Sequence, residues 1–166
     1  QQTVVAALGQ FAMVSQDFNG LLTQALQFTS QILETPFVHV LELQPDQKSL
    51  WLRAGLGWST GRVGSDIVEA SGRSQAAFVL NSGEPVVIPD MREENRFIAP
   101  RLLLDHNIVS GICVVIAMRS QPYGVLGVYS PQARVYTEDE VQFLLAIANA
   151  LGTAADRLRT ETELQK

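Results

Sequence analysis

Cysteine is almost absent from this chain. Cys113 is the single thiol in 166 residues, so no internal disulfide can form, and a reducing, cytoplasmic setting is expected. Histidine is nearly as scarce, with His39 and His106 alone. Neither stands at a paired metal-ligand spacing such as CxxC or HxxxH, so no metal site is expected. Positive charge is thin as well: 12 Lys and Arg against 17 Asp and Glu leave a net charge of −5. That balance excludes nucleic acid as an expected partner, since binding it takes clustered basic residues. No apolar run reaches the roughly 20 residues of a membrane span, so no membrane insertion by this segment is expected. QQTVVAALGQ lacks the basic-then-apolar order of a signal peptide. The GxSxG and HExxH signatures of hydrolases are missing. GLGWSTGRVG (55–64) is rich in glycine but lacks the Lys-Ser/Thr ending and the long following helix of a phosphate loop. It reads as a lid or a plain connection.

What is present is an ordinary globular composition, 46% hydrophobic and 17% charged, long enough for one domain with a sizeable core. Both ends fall inside helical patterns, as expected of a piece cut from a longer protein. Residues 2–35 are helical by periodicity. Phe18, Leu21, Ala25, Phe28 and Ile32 form one stripe, with Leu22, Leu26, Thr29 and Leu33 beside it. DFNG (17–20) supplies capping and turn residues that divide this region in two, and Thr35-Pro36 ends it.

FVHVLEL (37–43) and SLWLRAG (49–55) are strands joined by the turn PDQK. SQAAFVLNSG (74–83) is a short helix, VVI (86–88) a short strand, and 101–106 a short helix. VSGICVVIAM (109–118) and YGVLGVYS (123–130) are apolar at both parities, so both their faces must be covered. Gly111 and Gly127 within them point to the close approach of a packed helix. TEDE (137–140) is a capping box that opens the longest helix. Along it Val141, Leu144, Ala148, Leu151, Ala155, Leu158 and Thr162 form a heptad seam that weakens towards Gln165. Phe143, Ile147, Ala150 and Ala154 form a second stripe. Two stripes call for two partners, the chain's own sheet and a neighbouring copy, so Leu144, Leu151 and Leu158 are the expected dimer contacts.

The expected fold is therefore α+β: an antiparallel sheet of five or six strands between terminal helices and a layer of short helices and loops. Three parts are expected: a leading helix over 1–16 with a role in dimer contact, a domain over 17–160, and a final helix over 137–166 that continues towards a coiled coil.

Candidate chemistry is sparse. Cys113 lies mid-strand, where nothing lowers its pKa, and reads as core. His39 shares a strand face with Phe37 and Leu41 and reads as a satisfied buried histidine. His106 ends a short helix. DMREENRF (90–97) brings Asp90, Arg92 and Arg96 beside Phe97, a grouping that reads as a solvated loop with internal ion pairs or as one able to hold an anionic or planar ligand.

The order of these segments resembles a GAF domain, the small-molecule sensory module of bacterial signalling proteins. The resemblance covers 17–160. It rests on DFNGLLTQALQFTSQIL before FVHVLEL, on GEPVVIPDMREENRF, on HNIVSGICVVI followed by YGVLGVYS, and on YTEDEVQFLLAIANALGTAADRL. The last three segments look most like GAF domains of sensor histidine kinases and diguanylate cyclases. In the pigment-binding branch a Cys-His pair stands where this chain has Ala99 and Pro100, so a covalent bilin is not expected and the cofactor is left unassigned. One cysteine is too few for the branch that reduces methionine sulfoxide. Asn95-Arg96-Phe97 matches the start of the cyclic-nucleotide signature, but its later Asp-Glu is missing. Neither histidine can be matched to the haem-binding branch.

The resemblance implies a non-catalytic sensory or dimerisation module of a larger signal-transduction protein, relaying small-molecule binding to an output domain through its terminal helices. The implied pocket lies between the sheet and the loops 56–66 and 90–108, with Trp58, Arg92, Arg96, Phe97 and His106 as candidates. Two alternatives stand beside it: a small thiol enzyme using Cys113, and a ligand-free dimerisation spacer.

Overall fold

The helical start divides at Asp17, whose carboxylate accepts from the Gly20 N–H at 3.0 Å and caps the second helix. In this computed structural model, which describes residues 2–164 and the side chains of 5–161, α1 is Gln2–Val14 and α2 is Phe18–Leu33. The strands β1 (Phe37–Leu43) and β2 (Ser49–Leu56) follow as a hairpin. A third strand, β3 (Ile67–Glu69), lies in a stretch to which the sequence assigned no element. Next come α3 (Gln75–Ser82), β4 (Val86–Ile88), a 3-10 turn (Met91–Glu93) and α4 (Arg101–Asp105). The chain closes with β5 (Ser110–Ala117), β6 (Pro122–Ser130) and α5 (Glu138–Leu164). The capping box opens α5: Glu140 accepts from the Thr137 N–H at 2.8 Å, and Thr137 accepts from the Glu140 N–H at 3.1 Å.

The six strands form one antiparallel sheet in the order β3-β2-β1-β6-β5-β4. This is the expected α+β architecture. Strand residues alternate between its faces. Val38, Val40, Ile112, Val114, Ile116, Leu126 and Val128 face a layer built from α1, α2 and α5. Leu41, Leu52, Cys113 and Val125 face the opposite way, towards α3 and α4. Both faces of β5 and β6 are covered, which is why these strands are apolar at both parities.

The seam on α5 has a different partner from the expected one. Leu144 and Leu151 are fully buried within the chain's own core, as are Phe143, Ile147, Ala148 and Ala154. Both stripes of α5 are buried inside the chain, where the helix packs against β5, β6, α1 and α2. Leu144 and Leu151 therefore have no free surface for a second copy. Leu158 is half-buried. The seam's continuation at Thr162 and Gln165, and the tail expected to run on through 166, lie outside the described side chains. Among the described residues no helix is long and apolar enough to cross a membrane.

Candidate functional site

A bare patch of sheet organises the face opposite the terminal helices. Gly127 on β6 pairs with His39 of β1 on one side and Cys113 of β5 on the other. A Cβ at Gly127 would stand 2.6 Å from His39 Cε1 and 2.7 Å from the Tyr129 hydroxyl. Only glycine lets these two rings lie over the strand. Gly111 makes room in the same way for the Tyr129 ring. These glycines were expected to admit a helix; they admit aromatic rings.

The rings form a cluster. His39 lies 4.9 Å from Tyr129 and 6.0 Å from Trp58, centroid to centroid. Trp58 in turn stands 5.0 Å from Phe37 and 5.1 Å edge-on from His106. Trp58 folds back across Gly55, where a Cβ would meet its ring at 2.5 Å, and donates from Nε1 to the Val38 carbonyl at 2.9 Å. Two of the candidates, Trp58 and His106, are thus brought together, with Phe37, His39 and Tyr129 as further members.

His106 works as a clasp. Its Nδ1 lies 2.7 Å from the Leu102 carbonyl oxygen, which can only accept, so Nδ1 carries the proton. Nε2 then accepts from the Ser59 N–H at 2.9 Å. Arg62 adds a second tie, bonding Asp66 at 2.7 Å and Asp105 at 3.1 Å. The loop between β2 and β3 is thereby pinned to α4 at two points.

The other candidates separate. Arg92 grips Asp90 with two bonds of 2.9 and 2.8 Å, and its side chain is 69% exposed. Arg96 does the same to Glu94 at 2.8 and 2.9 Å and lies over the Phe97 ring. These bonds hold the carboxyls of Asp90 and Glu94 below their ordinary range. Neither arginine lines the cavities beside His39 and Phe97; each is committed to the acid two residues before it. Phe97 does line one.

Two small cavities adjoin here. The inner one, bounded by His39, Leu41, Gln75, Leu103 and Tyr129, has room for about one water. The outer one is roomier and shares Gln75, Pro100 and Leu103 with it, adding Met91, Glu94 and Phe97. His39 is buried, and desolvation lowers its pKa to about 4, so the ring is neutral at pH 7. It is not the satisfied histidine expected, for its Nδ1 has no hydrogen-bond partner. Gln75 escaped the sequence reading: a lone glutamine at the start of a short helix carries no periodic or motif signal.

A larger groove of about 640 Å³ opens on the opposite face beside Leu22, Leu26, Arg53 and Leu56. Among the described residues no unbonded buried polar atom lines it. Cys113 is sealed in the core beside Tyr129, and burial pushes its thiol up to about 12, far from a thiolate at pH 7. Among the described residues no cluster of three His, Cys, Asp or Glu is placed to hold a metal ion.

The GAF domain family model matches residues 17–155. The fold is similar to the GAF domain of a phosphoenolpyruvate-protein phosphotransferase from Coxiella burnetii, at TM-score 0.85 and 14% identity, covering 98% of this chain and 96% of that one. It is similar to residues 122 to 287 of a methyl-accepting chemotaxis protein, at TM-score 0.79 and 15% identity, covering 92% and 97%. It is also similar to the free methionine-R-sulfoxide reductase of Neisseria meningitidis, at TM-score 0.79 and 16% identity, covering 95% and 89%. Each of these is a likeness of fold. No curated protein matches the chain.

Proposed function

The chain belongs to the GAF domain family, and from that premise we propose that it is a non-catalytic sensory module of a longer cytoplasmic signalling protein, of the sensor histidine kinase or diguanylate cyclase kind. The observation that carries this reading is the two-sidedness of β1. His39 and Leu41 line the inner cavity, while Val38 and Val40, their immediate neighbours, lie in the core shared with α1, α2 and α5. A small molecule bound against His39 and Leu41 acts on the same strand that carries Val38 and Val40, and a shift of that strand is the proposed route to the other face. A ligand shifts the helices only by binding one packing better than another. The proposed output is a change in how the terminal helices pair with a second copy of the chain. With Leu144 and Leu151 committed inward, that pairing falls to the outer side of α1, where Phe11, Met13 and Val14 are exposed.

Ala76 lines the inner cavity, so Ala76→Leu fills it without a ligand. Hydrogen exchange of the filled variant is expected to change along α1 and α5 beyond what its altered global stability explains. Terminal helices that exchange as in the parent would overturn the relay and leave a ligand-free spacer. The pairing itself is read by light scattering, where Met13→Lys with Val14→Lys is expected to give monomers from a dimeric parent.

A further inference from the structure

Two buried side chains on the cavity face end in polar atoms with nothing to bond. His39 is 2% exposed and its Nδ1 has no partner. Gln75 is 3% exposed; its Nε2 donates to the Val86 carbonyl at 2.9 Å, and that bond fixes the amide while leaving Oε1 unbonded. Buried polar atoms are almost always paired, because leaving one desolvated and unbonded is costly. Both residues line the same inner cavity, which marks it as a place for a hydrogen-bonding group.

The cavity's size and surroundings restrict that group. The inner space holds about one oxygen atom with its hydrogen. Gln75 Oε1 can only accept, whereas a neutral imidazole nitrogen donates or accepts according to tautomer. A hydroxyl, donor and acceptor in one atom, matches both. The adjoining outer cavity is walled mainly by Ile88, Met91, Phe97, Ala99 and Leu103, a surface for an apolar body. No arginine or lysine lines either space, and the one ionised side chain there, Glu94, is already bonded to Arg96. A carboxylate or phosphate would be buried without a countercharge.

We infer that the two adjoining cavities together take a small neutral alcohol or phenol, its hydroxyl between His39 Nδ1 and Gln75 Oε1 and its apolar body against Met91 and Phe97. This rests on the reading of this face as a ligand site and adds the class of ligand. The mouth of the inner cavity must widen as the hydroxyl enters, and the short elements α3 and α4 are the parts that yield.

The test is an NMR titration of the full chain with phenol, toluene and benzoate, following the His39 Nδ1 nitrogen and the Met91 methyl. Phenol is expected to shift both signals saturably, toluene the methyl alone, and benzoate neither. Gln75→Leu and, separately, His39→Phe are expected to lower phenol affinity about tenfold relative to toluene. The wild-type titration decides the matter even if one variant fails to fold. Phenol that leaves Nδ1 unmoved, benzoate that binds better than phenol, or equal loss of phenol and toluene in the variants would each overturn the inference. Hydrogen exchange of α1 and α5 on the same samples keeps the two ideas apart. Phenol that binds without altering those helices upholds the ligand class and overturns the relay. Helices that respond to benzoate and not to phenol uphold the relay and overturn the ligand class.

Discussion

The two faces of the sheet are built to different rules. The face under α1, α2 and α5 is a continuous apolar core in which strand and helix side chains interlock. The other face is covered by α3, α4 and loops, carries an aromatic cluster laid over Gly55, Gly111 and Gly127, and lines its inner cavity with two residues that hold unbonded polar atoms. One chain thus places its stability on one side and its adaptability on the other. Packing density resists change, whereas short elements held by a few side-chain ties permit it.

The largest expected effect tests the solid side. Leu144→Ala is expected to cost about 3–5 kcal/mol, because long helices cannot close over the void. Leu103→Ala, at the cavity, is expected to cost about 2 kcal/mol or less, since α4 can settle inward. Urea denaturation of both variants measures the difference, and equal losses would erase the distinction between the faces.

Acid probes the adaptable side. The folded chain holds His39 near 4, whereas an unfolded histidine titrates near 6.5. The stability due to this group is complete above about pH 6.5 and drains away as pH falls towards 4, by roughly 3 kcal/mol. His39→Phe is expected to flatten the profile across that window. A parent as flat as the variant would mean the ring is not held neutral by burial.

The smallest effect concerns the clasp. His106→Ala removes the bonds to Ser59 and Leu102 and is expected to cost about 1 kcal/mol. Its clearer sign is Trp58 emission moving to the red in a Trp51→Phe background. Unchanged emission would show that the loop stays closed without the histidine.

Much of this architecture was legible because it rests on local rules. The capping box at Thr137–Glu140, the division at Asp17 and the two-faced strands β5 and β6 announce themselves in a few neighbouring residues. β3 did not, since Ile67–Glu69 is a strand only by pairing with Ser49–Trp51. The α5 seam shows the limit of periodicity: it reveals that a face is buried but not by whom. Leu144 and Leu151 would carry the same spacing against a neighbour as within the chain's own core. Site residues were legible in proportion to their rarity. Trp58 and His106 stood out and do meet, whereas Gln75 and Phe37 matter through long-range placement alone. Arg92 and Arg96 show why composition alone does not decide a ligand group: the same run supplies Asp90 and Glu94, two residues before each, and the internal pairs form.

The β1–β6 pairing carries a further consequence, for the order in which the molecule assembles. β1 with β2, and β5 with β6, are local hairpins, but Phe37 must find Tyr129 before the sheet has a centre. Closing so long a loop is entropically late. Each half of the chain therefore waits for the other, and the row His39–Gly127–Cys113 exists only after they join. The cavity face is whole only while the two hairpins stay paired.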